Sequence, residues 1–331
     1  MSQCIAVIGG AGFVGTRLCG LLRDAGKPFV IVDKRPSESF PAESVIADVR
    51  DLDRLLEVLP ADAAWVNLAA EHRDDVSPKS LYDEVNVSGA SNLCLAAAAK
   101  GVERIVFTSS VACYGNAPPG TGEGGAIAPF NDYGRTKFLA EEVYRAWQRD
   151  DPSRRTLAIV RPTVIFGEQN RGNVYNLLRQ IASGRFVMVG AGRNTKSMAY
   201  VGNVAAFLSE LLSTRHGNVL VNYVDEPSVN MNELVSLARS ELQLDPQIKF
   251  RLPVWAGLTA GYAADAIARI SGRKLPVSAV RVRKFVSDSY FTSKVQELGF
   301  EPPFTMLEAL RKTINHEFVR KASSGPVFFS E

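Results

Sequence analysis

This chain has little histidine and little cysteine. His72, His216 and His316 are spread over 331 residues, which argues against a histidine-built metal centre. Cys4, Cys19, Cys94 and Cys113 all fall in the first 113 residues without the paired spacing of a zinc site or a disulfide framework, so they read as cytosolic thiols. A large excess of one charge is also missing. Thirty-eight Lys and Arg against 35 Asp and Glu leave +3, well short of the basic surplus of a dedicated nucleic-acid binder. Residues 252–270 are mostly apolar, but spanning a bilayer would leave Asp265 and Arg269 in hydrocarbon. The opening MSQCIAVIGGAGFVG lacks the charged region, long apolar core and cleavage site of a secretory signal, so a cytoplasmic location is expected. With 46% hydrophobic and 22% charged residues, the chain reads as an ordinary soluble protein. Its length suits one large α/β unit or two domains.

What is present is a rhythm. An apolar run at 4–8 meets a glycine-rich turn at 9–15, and 16–25 then shows helical spacing at Leu18, Leu21 and Leu22. Further short strands are expected at 29–32, 44–46, 64–68, 104–108 and 156–160, separated by helices such as 52–59 and 81–99. Such alternation predicts an α/β fold with a Rossmann-type, doubly wound parallel sheet. The glycine- and proline-rich stretch 115–125 should be a mobile loop near the carboxyl ends of the strands. Beyond Arg161 the rhythm loosens, with helices expected at 174–183, 230–243 and 253–271 and a strand at 186–189. This predicts a smaller, mostly C-terminal substrate lobe, with 321–331 as a loosely held tail.

Gly9, Gly12 and Gly15 stand between the first strand and the first helix in the spacing G-x-x-G-x-x-G. Glycines there let the backbone turn tightly, approach a pyrophosphate and pack helix on strand, while the helix N-terminus favours negative charge. Asp33 closes the second strand eighteen residues after Gly15, placed to bond the two hydroxyls of an adenosine ribose. Its charge would repel a 2′-phosphate, favouring NAD over NADP, although Lys34 and Arg35 beside it could accept that phosphate. Residues 1–168 are therefore expected to bind NAD and 169–331 to bind substrate, with some of the later segments returning to the first domain.

Tyr133 and Lys137 lie four residues apart on one helical face. An adjacent ammonium should draw the phenol pKa down and make Tyr133 an acid/base. Ser109-Ser110 close an apolar strand, where a hydroxyl can project from the sheet edge.

With these motifs the chain resembles the extended short-chain dehydrogenase/reductases of the nucleotide-sugar epimerase and dehydratase type. The likeness runs through Ala47-Asp48-Val49, Asn67-Leu68-Ala69-Ala70, Asn86-Val87, Thr108 to Gly115, the Tyr133/Lys137 pair and Arg161-Pro162. It implies that Asp48 and Val49 meet the adenine, that Leu68, Ala69 and Ala70 line the cofactor, and that Ser110 bonds the reacting oxygen. Lys137 would also hold the nicotinamide ribose. Phe13, Val14, Lys34, Asn86 and Pro162 are assigned to the cofactor on the same ground, and Glu71 to the substrate. Dehydratases carry an Asp-Glu pair after the catalytic hydroxyl residue; here Val111 and Ala112 stand there and cannot move protons. Chemistry confined to one carbinol carbon is expected instead, either epimerisation or ketone reduction.

A narrower likeness lies in Glu71-His72-Arg73, Arg161 to Gly167, Asn170 to Asn176 and Lys196 to Asn203. It resembles the bacterial 4-epimerases that interconvert N-acetylglucosamine and N-acetylgalactosamine on a polyprenyl diphosphate. It implies Arg171, Asn173, Arg193 and Lys196 as contacts for the substrate diphosphate. His72 either lines the sugar pocket or is held by Asp74 or Asp75, and Cys113 is small core filler. A UDP-linked substrate, a 4-keto-sugar reductase and a non-catalytic NAD-binding regulator stay open as alternatives. Relatives dimerise through helices equivalent to 81–100 and 133–148. Residues 253–270, followed by Arg273, Lys274, Arg281, Arg283 and Lys284, suit either contact with an anionic membrane surface or burial beside a solvated basic face.

Overall fold

The computed structural model describes residues 3–73, 76–213, 217–271, 278–320 and 325–329. Asp74, Asp75, His216, Arg273 and Lys274 lie outside them. Seven parallel strands form the central sheet. In chain order the first half contributes β1 (Ile5–Ile8), α1 (Phe13–Asp24), β2 (Phe29–Asp33), β3 (Ser44–Ile46), α2 (Leu52–Val58) and β4 (Ala64–Asn67). Then come α3 (Ser80–Tyr82), running through a π-helical turn into α4 (Gly89–Ala99), β5 (Arg104–Thr108), α5 (Asp132–Asp150) and β6 (Thr156–Pro162). The second half supplies β7 (Val164–Phe166), α6 (Asn173–Ala182), β8 (Met188–Val189), β9 (Thr195–Lys196), β10 (Met198–Tyr200), α7 (Val201–Ser213) and β11 (Val219–Tyr223). It ends with β12 (Val229–Asn230), α8 (Met231–Glu241), β13 (Arg251–Leu252), α9 (Val254–Ser271), α10 (Ala279–Val286) and α11 (Met306–Ile314).

The sheet order is β3-β2-β1-β4-β5-β6-β11, every pairing parallel. This is the doubly wound arrangement expected. Its strands are buried on both faces, and their two-residue period deals alternate side chains to two cores. Ile5, Val7, Val66, Val106 and Val160 face α1 and α7, where they meet Leu18, Leu22, Leu208 and Leu211. Ala6, Ile8, Trp65, Phe107 and Ile159 face α2, α4 and α5, where they meet Leu55, Leu93, Ala97 and Tyr144. A third core joins Val174 and Leu178 of α6, Leu234 and Val235 of α8, and Met306 and Leu310 of α11.

Besides helices α7, α10 and α11, which the sequence reading did not anticipate, three departures from expectation matter here. The seventh strand, β11, was not foreseen; it pairs with β6 from Val219↔Ala158 to Tyr223↔Pro162. The 115–125 loop is pinned rather than free. Gly120 N–H donates to the Tyr290 carbonyl at 2.8 Å, and Glu123 accepts from the amides of Asn222 and Lys294, each at 2.9 Å. The described part of the tail, 325–329, is docked: Phe328 exchanges backbone bonds with Gln169 and Arg171, and its ring lies 5.7 Å from that of Phe13.

Candidate active site

The winding of the sheet reverses between β1 and β4, which opens a crevice beyond their carboxyl ends. Gly9 turns the chain there with φ +78°, and a Cβ on it would stand 2.5 Å from Ala69 N. Only glycine permits this approach of the turn to Leu68–Ala70. At Gly12 the protein leaves room, since only the Gly9 carbonyl, at 3.3 Å, lies within 4 Å of where a Cβ would be. That is the open cradle a pyrophosphate needs at the mouth of α1, so the residues present fit a dinucleotide. Asp33 is fixed beside it, one carboxylate oxygen accepting from Ala11 N–H and the other from Arg35 N–H, both at 3.1 Å. Lys34 and Arg35 are exposed. Asp48 takes a two-pronged bond from Arg50, at 3.0 and 2.8 Å, and this guanidinium holds its carboxyl below the usual range. Val49 is buried against α4 at Gly89, Pro162 is buried at the end of β6, and Val14 packs into two of the cores.

Asn86 lies deeper than a ligand would. Its side chain accepts from Glu71 N–H at 2.8 Å and donates to the Glu71 carbonyl and to Thr136 at 3.0 and 2.9 Å. It therefore splices the segment after β4 to α5, and its effect on the crevice runs through that splice.

Ser110, Tyr133 and Lys137 lie two strands along from the glycine turn, after β5 and at the start of α5. Ser110 follows β5 and caps a short helical turn, its hydroxyl accepting from Ala112 N–H at 3.1 Å. Asn131 caps α5 by accepting from Gly134 N–H at 2.9 Å, which sets Tyr133 in the first turn. The neighbouring Ser110 hydroxyl favours the phenolate, yet burial outweighs it and pushes the phenol pKa up to about 12. Burial also pushes the Lys137 ammonium down to about 7, against the pull of Glu141. The ammonium rests on the face of Phe107, 4.3 Å from the ring centre. The downward shift expected for the phenol is thus reversed in the protein alone: desolvation drives both groups toward neutrality and outweighs the pull of Ser110 on the phenol and of Glu141 on the ammonium.

Sequence reading missed what stands behind this trio. Glu141, fully buried one turn after Lys137, takes both prongs of Arg161 at 2.7 and 2.5 Å and accepts from the Ser109 hydroxyl at 2.5 Å. Arg161 also donates to the Tyr114 hydroxyl at 2.7 Å, which donates in turn to Asn222 at 2.8 Å. The four-residue step from Lys137 to Glu141 is the one signal the sequence offered.

The residues assigned to substrate do not gather into one cluster. Glu71 is buried; desolvation acts to raise its carboxyl, but Arg73 at 3.2 Å outweighs it and holds the group below its ordinary range. Arg171 pairs with Glu317 at 2.9 Å and lies 4.1 Å over the Tyr175 ring. Lys196 donates to the carbonyls of Lys284 and Ser287 at 2.7 and 2.6 Å, where α10 ends, and burial lowers its pKa. Asn173 and Arg193 are exposed, Arg193 in a cleft that also takes in Gly190, Asn194, Val254, Val286 and Asp288. His72 is exposed, while Cys113 is fully buried with its thiol pushed up to about 12, as suits core filler.

Comparison with known proteins identifies the family of the chain. The model of the NAD dependent epimerase/dehydratase family matches residues 5–222, and the chain belongs to that family. It is an NAD-dependent enzyme. N-acetyl-alpha-D-glucosaminyl-diphospho-ditrans,octacis-undecaprenol 4-epimerase of Escherichia coli O157:H7 is 47% identical to it over 336 aligned positions, covering 100% of both chains. UDP-glucose 4-epimerase of Vibrio cholerae is 25% identical, covering 95% of each. Among solved structures, MoeE5 in complex with UDP-glucose and NAD matches with a TM-score of 0.75 at 25% identity, over 97% of this chain and 100% of that one.

Proposed function

We propose that this protein is a 4-epimerase that interconverts N-acetylglucosamine and N-acetylgalactosamine carried on undecaprenyl diphosphate, a step in building bacterial surface polysaccharide. The full-length identity of 47% with the Escherichia coli enzyme carries this reading. The glycine turn would seat the pyrophosphate, Asp33 the adenosine ribose, Asp48 and Val49 the adenine, and Lys137 the second ribose. When bound, NAD supplies a hydride acceptor at C4 and a donor back to the opposite face of the sugar, so no reductant is consumed. Tyr133 as the phenolate, a form that the cationic nicotinamide ring of bound NAD would favour, takes the proton from the C4 hydroxyl and later returns it to the same oxygen. Ser110, beside the phenol, steadies the charge that develops on that oxygen. Val111 and Ala112 can neither donate nor accept a proton, which confines the chemistry to C4. Arg193 and Asn173, both exposed, would meet the diphosphate first.

The reading includes a homodimer built on α4 and α5, where Leu95 and Leu139 are exposed, and work at the cytoplasmic face of the membrane that holds the lipid. No helix is long and apolar enough to cross a membrane among the described residues. The test is to offer the purified protein UDP-linked and polyprenyl-diphosphate-linked N-acetylglucosamine in detergent and to analyse the epimers. Conversion of the lipid-linked sugar without added reductant is the expected result. Conversion of the UDP sugar alone rejects the lipid assignment, and stoichiometric consumption of NADH or NADPH converts the reading into a 4-keto-sugar reductase.

A further inference from the structure

Helix α9 is oriented against the usual rule. A surface helix turns its apolar face inward and its polar face to water. Among the described side chains of α9, only Gly257 and Gly261 are buried. A Cβ on Gly257 would stand 2.6 Å from Val189 and one on Gly261 2.7 Å from Ala279 N. The face without side chains is therefore the one pressed against β8 and α10, and the bulky apolar residues point away. Trp255, Tyr262 and Ile267 are all more than half exposed, with Phe250 just ahead of the helix. The single acidic residue of α9, Asp265, is turned inward and accepts from Ala279 N–H at 3.1 Å.

Beside this face stand cations. Arg283 of α10 hydrogen-bonds the Tyr262 hydroxyl and lies 5.5 Å over its ring, and Lys284 lies 6.0 Å over the exposed ring of Phe130. Residues 251–286 hold seven of the chain's 38 basic residues and one of its 35 acidic ones. This stretch carries +6, and the rest of the molecule carries −3. Aromatic and aliphatic groups over a basic border match an anionic bilayer surface in both polarity and charge. A second copy of the chain is a poorer match, because a two-fold contact would bring like charges together. The face also borders the cleft of Arg193, a residue assigned to the substrate diphosphate, since Val254 at the start of α9 and Val286 at the end of α10 line that cleft.

We propose that the outward face of α9, with the basic side of α10, docks on anionic lipid and sets the mouth of the Arg193 cleft at the level of the headgroups. The proposal rests on the lipid-linked substrate reading. Trp255 is a built-in reporter: it is 70% exposed, whereas Trp65 and Trp147, the other two tryptophans, are 1% and 3% exposed.

The test adds vesicles of phosphatidylcholine, with and without phosphatidylglycerol, to the full-length protein and follows tryptophan emission and co-sedimentation. A blue shift and co-sedimentation with the anionic vesicles, about tenfold weaker with the neutral ones, are expected. Trp255→Ser combined with Ile267→Ser should weaken sedimentation about tenfold or more while leaving turnover of detergent-dispersed lipid-diphosphate sugar unchanged. Absence of binding to anionic vesicles overturns the proposal, as does unweakened binding by the double variant. A fall in the variant's mass by sedimentation velocity also overturns it, because the face is then an interface between copies. Turnover of detergent-dispersed lipid substrate without vesicle binding sinks the docking alone. Vesicle binding with conversion of only the UDP sugar sinks the substrate reading alone.

Discussion

Tyr133 and Lys137 are both held toward their neutral forms, the phenol up at about 12 and the ammonium down at about 7. Two consequences can be measured. Tyr133→Phe removes the proton carrier of the proposed mechanism, and turnover should fall about 10²–10⁴-fold while the protein still carries NAD, measured by nucleotide released on denaturation. Lys137 is charged in both folded and unfolded states below pH 7, so folding there bears the full cost of desolvating it. Between about 7 and the ordinary lysine value the unfolded chain binds the extra proton, and stability rises with pH. Lys137→Met should therefore melt higher than wild type at pH 6, by about 2–4 °C for each kcal/mol regained. That margin should shrink as the pH approaches 10, while activity is lost; a margin independent of pH would contradict the assignment. Glu141→Gln leaves the Arg161 guanidinium buried with a weakened partner and should lower unfolding free energy by up to about 3–5 kcal/mol in urea titration. The candidate trio of Ser110, Tyr133 and Lys137 could be picked out because each sits at or near the end of an element. The Arg161–Glu141 pair was not, since it joins a strand to a helix across a contact that only the finished fold creates. The same holds for Lys196 at the end of α10 and for Arg171 on Glu317, 146 residues away.

At the scale of elements, periodicity told most where an element has neighbours on both faces. The six strands from β1 to β6 were readable as apolar runs between turn residues. β11 was not, because β7, α6 and β10 intervene between it and β6 and interrupt the strand-helix rhythm. For α9 the composition was ambiguous: the same apolar helix could lie buried or exposed, and only the contacts of Gly257 and Gly261 decide which side faces out. The proposed homodimer rests on the α4 and α5 pair. Leu95 is 58% exposed on a helix whose other side is packed on the sheet. Leu95→Arg with Leu139→Arg should convert a dimer to a monomer by sedimentation velocity without changing the far-ultraviolet circular dichroism.

Across the whole molecule, the two halves of the chain are laced together. Glu123 gathers amides from Asn222 and Lys294, Tyr114 reaches Asn222, and Phe328 lies on Phe13 of the glycine turn. NAD seated in that crevice would bind the folded state alone. Protein stripped of nucleotide should therefore gain about 2.7 kcal/mol from NAD at a hundred times its dissociation constant, read as a rise in melting temperature. No rise on adding NAD would argue that the stripped protein has lost the site. The late arrival of β11 bears on how the molecule is made. A ribosome delivers β6 long before Val219–Tyr223, so for 57 residues of synthesis, from Pro162 to Val219, the nascent sheet carries a bare edge of amides and carbonyls. During that interval the growing chain is open to wrong partners, and a gene fragment cut after residue 168 would make the exposure permanent.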